Sequence, residues 1–271
     1  MNNLSSLFDL TGRTALVTGG GGVLGSAMAR ALAQAGAHVI VSGRTSATLE
    51  RAVSSICDAG GSAAWVAADV TQAEAFAQAI TPLGQIDILV NAAGGNHMSA
   101  MTSPTRSLFE LDLQAMDSVM QLNWMGTIIP SLTLARQMAE RGDGVIINIA
   151  SMTTFKPLSR TIAYSSAKAA VGSLTQWLAS HMAMNYSPRI RVNAIAPGFF
   201  LTEINRKLLF DDETNEPTAR GQSIIAHTPM GRFGEADELG GTLAWLASDA
   251  SRFVTGIVVA VDGGFQAYEG V

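Results

Sequence analysis

The chain of 271 residues is 48% hydrophobic and only 14% charged, enough to bury a sizeable core as a single domain over residues 1–271. Its formal net charge is −5 and no run of Lys or Arg stands out, which argues against nucleic acid or an anionic membrane as a partner. The one cysteine, Cys57, excludes an intrachain disulfide and a multi-cysteine metal centre.

The start lacks a basic segment followed by an apolar one, and no apolar run reaches the length of a membrane span. The expectation is a soluble cytoplasmic chain whose partner is a small molecule. Positive mean hydropathy with few charges fits either a large core or a surface buried against copies of itself.

In chain order, apolar runs at 14–17, 38–41, 63–67, 86–90, 145–149, 190–194 and 256–260 read as strands, with helix-like stretches such as 23–36 and 47–59 between them. Near-continuous β-branched strands separated by helices predict a Rossmann-type, doubly wound α/β fold: a seven-stranded parallel sheet with helices on both faces. Two long segments, 94–113 and 202–228, break the rhythm. Both follow strands, and in this architecture ligands bind beyond the carboxyl ends of strands, so both are candidate substrate loops.

The first strand runs into Thr18-Gly19-Gly20-Gly21-Gly22-Val23-Leu24-Gly25 at the start of a helix. Glycines let the backbone approach a pyrophosphate, and a helix N-terminus presents unpaired N–H groups to it. Gly19, Gly21, Gly22, Val23 and Leu24 are therefore candidate cofactor contacts. After the second strand comes Arg44 and no carboxylate, which favours NADP(H) and leaves NAD(H) open, since Arg44 can pair with a 2′-phosphate or merely stack on adenine. Asp69, followed by Val70, offers an acceptor for an adenine amino group or else caps a helix. Asn91, Ala92 and Gly94 end the fourth strand in small residues that leave room for a cofactor or simply form a turn.

Tyr164 and Lys168 stand at i and i+4 in a helix-compatible run and so share a face. A phenol beside a fixed cation is drawn towards its phenolate, useful for acid–base work on a substrate oxygen. Ser151, at the end of the fifth strand, can donate to the same oxygen or cap a turn. Asn123 lies mid-helix, an unfavourable place for an amide unless it bonds something specific.

Thr18-Gly19, Asp69, Asn91-Ala92-Ala93-Gly94, Asn123, Ser151, Tyr164-x-x-x-Lys168, Pro197-Gly198 with Thr202, and Asp262-Gly263-Gly264 together resemble the short-chain dehydrogenase/reductase family from Leu10 to Phe265. The resemblance implies Tyr164 as acid/base and Ser151 as the group that orients the carbonyl. It implies Lys168 as ribose binder and pKa tuner, and Asn123 as holder of a relay water. It also implies contacts from Pro197, Gly198, Phe200 and Thr202 to the nicotinamide end, and a homotetramer with the Tyr164 helix and last strand at interfaces. The apolar run 169–184, with Trp177 and Leu178, agrees with a buried outer face and equally with core packing. One departure is Val23, which stands where the family pattern has glycine; the adjacent Gly22 is expected to preserve phosphate binding along an altered loop path.

Residues 94–97, 197–206, 219–222, 227–234 and 263–268 resemble the branch of this family that interconverts D-fructuronate and D-mannonate, near the gluconate 5-dehydrogenases. That implies reversible reduction of a keto sugar acid. Such a ligand needs hydrogen-bonding groups for its hydroxyls and a cation for its carboxylate. Asn96 and His97 are candidates for the first, Lys156, Arg160 and Arg206 for the second, and His97 is read as a neutral hydrogen-bonding group because no second metal ligand lies nearby in sequence. The alternatives are another polyol or ketone substrate, or a cofactor-binding regulatory protein without turnover.

Overall fold

A computed structural model describes residues 3–202, 206 and 208–270. The strands are β1 (Thr14–Thr18), β2 (His38–Gly43), β3 (Ser62–Ala67), β4 (Ile88–Asn91), β5 (Gly144–Ile149), β6 (Ile190–Pro197) and β7 (Val258–Val261). They form one sheet in the order β3-β2-β1-β4-β5-β6-β7, with every pair parallel. The order reverses between β1 and β4, which opens a crevice at their carboxyl ends.

Alternation along each strand divides the core into two layers. Val17, Val41, Ile88, Val90 and Ile147 pack beneath α1 (Val23–Gln34), α2 (Ser46–Asp58) and the helix Leu239–Ala247. Leu16, Ile40, Leu89 and Ile146 point the other way, against α3 (Ala73–Ile80), α5 (Gly126–Arg141) and α6 (Ile162–Asn185). Both faces of the central strands are thus dry, which is why the runs read as continuous apolar sequence. β6 continues past the expected end at residue 194, because Ala194 to Pro197 still pair with β7.

The two long segments leave the same end of the sheet as the glycine loop. Residues 94–113 hold two 3-10 turns, Met98–Ala100 and Leu108–Glu110. The segment 202–228, of which 203–205 and 207 lie outside the described residues, contains the helix Ala219–Ala226, whose Gly221 N–H donates to the capping Thr218 hydroxyl. Between α4 (Leu113–Met120) and α5 the chain makes a π turn, Gln121–Met125. Among the described residues no helix is long and apolar enough to cross a membrane.

Candidate active site

The glycine loop is built for close backbone approach. Gly19 has φ +66°, and a Cβ there would sit 2.8 Å from the backbone of Ala93; one on Gly25 would overlap the Gly19 carbonyl oxygen. Val23 does not disturb this path. It is the first residue of α1, while Gly22 N-caps the helix and donates its N–H to the Gly19 carbonyl at 3.0 Å. The glycine missing at residue 23 is therefore one that the helix start does not need, and Val23 and Leu24 turn to the cavity wall.

That wall encloses a cavity of about 540 Å³ over the β1–β4 crevice. Of the expected cofactor residues, Gly19, Gly21, Gly22, Val23, Leu24, Arg44, Asp69, Val70, Ala92, Gly94 and Thr202 line it. Arg44 is exposed at its rim and makes no ion pair with the described residues. Asp69 Oδ1 accepts from the Thr71 N–H (2.9 Å) and hydroxyl (2.7 Å). Burial pushes the Asp69 carboxyl up, but the Thr71 bonds and the Arg44 charge outweigh it, so the group stays ionised below the usual range. A cavity of this volume, a positive-φ glycine turn at a helix N-terminus and a carboxylate beside an exposed guanidinium fit a dinucleotide.

Six expected cofactor contacts are not on this wall: Tyr164 and Lys168 lie beyond it, and four others turn elsewhere. Asn91 is 1% exposed with its amide turned into the sheet, bonded to Ser131 and Asn148. Pro197 closes β6, Gly198 presses on Asp262 and donates its N–H to Val261, and Phe200 is buried against Gly234. Thr18 belongs to the Thr18-Gly19 motif, whereas Thr48 and Leu122 carry no motif signal. Thr48 and Leu122 line the cavity, and the Thr18 hydroxyl accepts from the N–H groups of Ala92 and Ala93.

Gly94 joins the cavity to the second cluster. A Cβ on it would lie 2.8 Å from Asn123 Oδ1 and 3.3 Å from Lys168 Nζ. Asn123 is wholly buried in the π turn, a bulge of the kind often found at functional sites, and grips Gly95 from both sides. Its Oδ1 accepts from the Gly95 N–H (3.2 Å) and its Nδ2 donates to the Gly95 carbonyl (2.7 Å). Lys168, 4% exposed, donates to the Ile149 carbonyl at 2.7 Å, and its Nζ lies 5.8 Å from the Tyr164 ring centre. Ser151 Oγ accepts from the Thr153 N–H (3.2 Å), which leaves its own proton to give, and its hydroxyl acts on the Tyr164 phenol to lower its pKa.

The pKa values correct one expectation. Burial pushes the Tyr164 phenol up and Ser151 only partly opposes it. The expected downward pull of Lys168 is weak because burial drives that lysine itself towards its neutral form, with a pKa of about 8.

Of the expected substrate residues, His97 Nδ1 accepts from Ser99 N–H and Asn96 Oδ1 from His97 N–H, local bonds that shape the loop. Lys156 is paired with Glu269 of the C-terminal segment, whose Tyr268 meets His227 edge-on. Arg206 bonds Asn215 and lies over the Phe210 ring. Neither is an uncommitted cation. Arg160 is exposed and makes no ion pair with the described residues. A further cation, half-buried Arg220 in the first turn of the helix Ala219–Ala226, has its pKa lowered by burial and then by the charge of Arg160. The sequence signal for it was an Arg placed against the helix dipole.

Residues 13–213 match the family model described as short chain dehydrogenase. The chain belongs to that family. It is 42% identical to UxuB, an uncharacterized oxidoreductase of Bacillus subtilis, over 97% of this chain and 98% of that one. A solved structure from Haemophilus influenza, provisionally named a D-mannonate oxidoreductase and holding NAD, matches with a TM-score of 0.90 at 39% identity over 99% of this chain and 100% of that one. A gluconate 5-dehydrogenase from Burkholderia cenocepacia, with NADP and tartrate, matches with a TM-score of 0.86 at 35% identity over 98% and 99%. This short-chain dehydrogenase is an NAD(P)-dependent oxidoreductase acting on a secondary alcohol or ketone.

Proposed function

We propose that this enzyme reversibly reduces a keto sugar acid to its hydroxy acid, with D-fructuronate to D-mannonate as the leading reaction and 5-ketogluconate to gluconate second. The observation that carries it is the likeness to the provisionally named D-mannonate oxidoreductase over 99% of the chain, both long loops included. The second reading is favoured by the gluconate 5-dehydrogenase that holds tartrate, itself a hydroxy acid. A nicotinamide cofactor held along the glycine-loop cavity would supply or take the hydride. Tyr164 passes its phenolic proton to the substrate oxygen, and Ser151, held by the Thr153 N–H, donates to that same oxygen and orients the carbonyl. Lys168, anchored on the Ile149 carbonyl, stands ready to return a proton, and Asn123 holds Gly95 and with it the turn between the two halves of the site.

The loops 94–113 and 202–228 supply the substrate pocket in this reading. Burial and the charge of Arg160 both lower the pKa of Arg220, a repulsion that a substrate carboxylate beside the pair would relieve. Arg160→Ala is expected to raise KM for sugar acids at least about tenfold and leave neutral ketoses unaffected. Steady-state kinetics on both classes checks it, and equal effects on the two would remove Arg160 from carboxylate binding. The wider test is a spectrophotometric panel crossing NADH and NADPH with fructuronate, 5-ketogluconate, tagaturonate and neutral ketoses. Faster turnover of neutral ketoses than of all three acids would overturn the sugar-acid reading.

NADPH is the preferred cofactor in this proposal, because Arg44 is free at the cavity rim where a 2′-phosphate would sit. Arg44→Ala should cut kcat/KM for NADPH about tenfold and barely change that for NADH. An equal loss with both would mean that Arg44 only stacks on adenine. The proposal also places the enzyme in the cytoplasm as a homotetramer. Trp177, Leu132, Met184 and Tyr186 stay exposed around α5 and α6, whereas Leu178 is core, and β7 is a half-open sheet edge.

A further inference from the structure

Asn91 does not face the cofactor cavity, and its surroundings define another task. Its Nδ2 donates to Ser131 Oγ on α5 at 2.8 Å and to Asn148 Oδ1 on β5 at 2.9 Å. The orientation is forced from both ends. The Ser131 hydroxyl gives its proton to the Thr127 carbonyl (2.7 Å), so it accepts from Asn91. The Thr175 hydroxyl gives its proton to the Val171 carbonyl (2.8 Å), so it accepts from Asn148 Nδ2 (2.9 Å), which turns Asn148 Oδ1 towards Asn91.

One arm therefore runs from Asn91 through Ser131 to Thr127, whose hydroxyl donates to the Asn123 carbonyl at 2.9 Å. The other runs through Asn148 into α6 at Thr175, about two turns beyond Lys168, whose ammonium is itself tied to Ile149 next to Asn148. Asn91, Ser131, Thr127, Asn148, Thr175 and Asn123 are each no more than 1% exposed. Stability alone is a poor explanation for this ladder. Asn91 Oδ1 is buried with no partner among the described residues, so the network is left short of the full satisfaction that stability alone would favour. A polar network inside a sheet core yields orientation instead, since each bond admits one direction and one register.

We infer that Asn91 is a positioning residue, whose single amide locks the Asn123 turn and the Tyr164–Lys168 helix to each other through Ser131 and Thr127 on one side and Asn148 and Thr175 on the other. The inference rests on Tyr164 and Lys168 being the proton-transfer pair and is independent of which ketone is reduced. Because substitutions at Asn91 disturb the sheet, the test is made at the far end of the arm.

Thr127→Val keeps the shape and removes the last bond to Asn123. It is expected to lower kcat about tenfold on the best substrate of the panel, with KM and cofactor affinity unchanged. Thr127→Ser, which restores the hydroxyl, is expected to recover kcat. Ser131→Ala should act in the same direction, and the double variant Thr127→Val/Ser131→Ala should lose less than the product of the two single losses, because both cut one path. Full kcat in Thr127→Val with only a lower Tm would reduce the ladder to structure and overturn the inference, as would failure of Thr127→Ser to restore what valine lost. Full turnover in Tyr164→Phe would instead overturn the proton-pair assignment, so the two failures are separable.

Discussion

Tyr164→Phe is expected to lower turnover about a thousandfold while the affinity for NADP(H) stays within about twofold, because general acid–base catalysis contributes on the order of 10²–10⁴. The substitution removes one oxygen and little else. The ring packs with Ala100, Ala115, Val119 and Ala163, contacts that phenylalanine keeps, and Ser151 remains held by Thr153. Loss of rate with a normal Tm and normal cofactor titration would therefore report chemistry. Turnover near that of the parent would end the assignment of Tyr164 as the acid.

The parts of the site that were legible in the sequence are those set by local spacing. Tyr164 and Lys168 share a helix face because they are four residues apart, and the glycine loop follows a strand and opens a helix, which fixes where its N–H groups point. The strands showed themselves because both faces of the sheet are covered. What escaped depends on partners distant in sequence. Asn91 looked like a cofactor residue until the β4–β5 register put it opposite Asn148 and its amide into the core. Lys156 looked like a free cation because Glu269, 113 residues away, carries no sign of its destination. Asn123 was placed in a regular helix, but a π turn leaves almost no trace in hydrophobic periodicity. The Tyr164 shift runs opposite to what spacing suggests, because charge proximity can be read from spacing, whereas burial of the charge itself cannot.

That burial leads to the second large effect. Lys168 has an ordinary pKa of 10.5 and one of about 8 in the folded chain, lowered by desolvation. Below pH 8 the lysine is charged in both states, so folding carries the full cost of burying an ammonium, about 3 kcal/mol for a shift of this size. Between pH 8 and 10.5 the unfolded chain binds more protons than the folded one, so stability rises with pH through that window and the penalty fades above it. Lys168→Met removes the titration altogether. The stability of the variant relative to the parent should therefore be greatest at pH 7 and should decline by roughly 2–3 kcal/mol by pH 10, as measured by urea unfolding at each pH. Loss of the bond to the Ile149 carbonyl subtracts a pH-independent amount of about 1 kcal/mol and leaves the trend intact. The same variant should be nearly inactive, since methionine can neither hold ribose hydroxyls nor return a proton. A pH-independent difference would show that Lys168 is solvated in the folded protein. A variant more stable and less active at neutral pH would show that the fold bears the cost of a buried lysine for its place beside Tyr164.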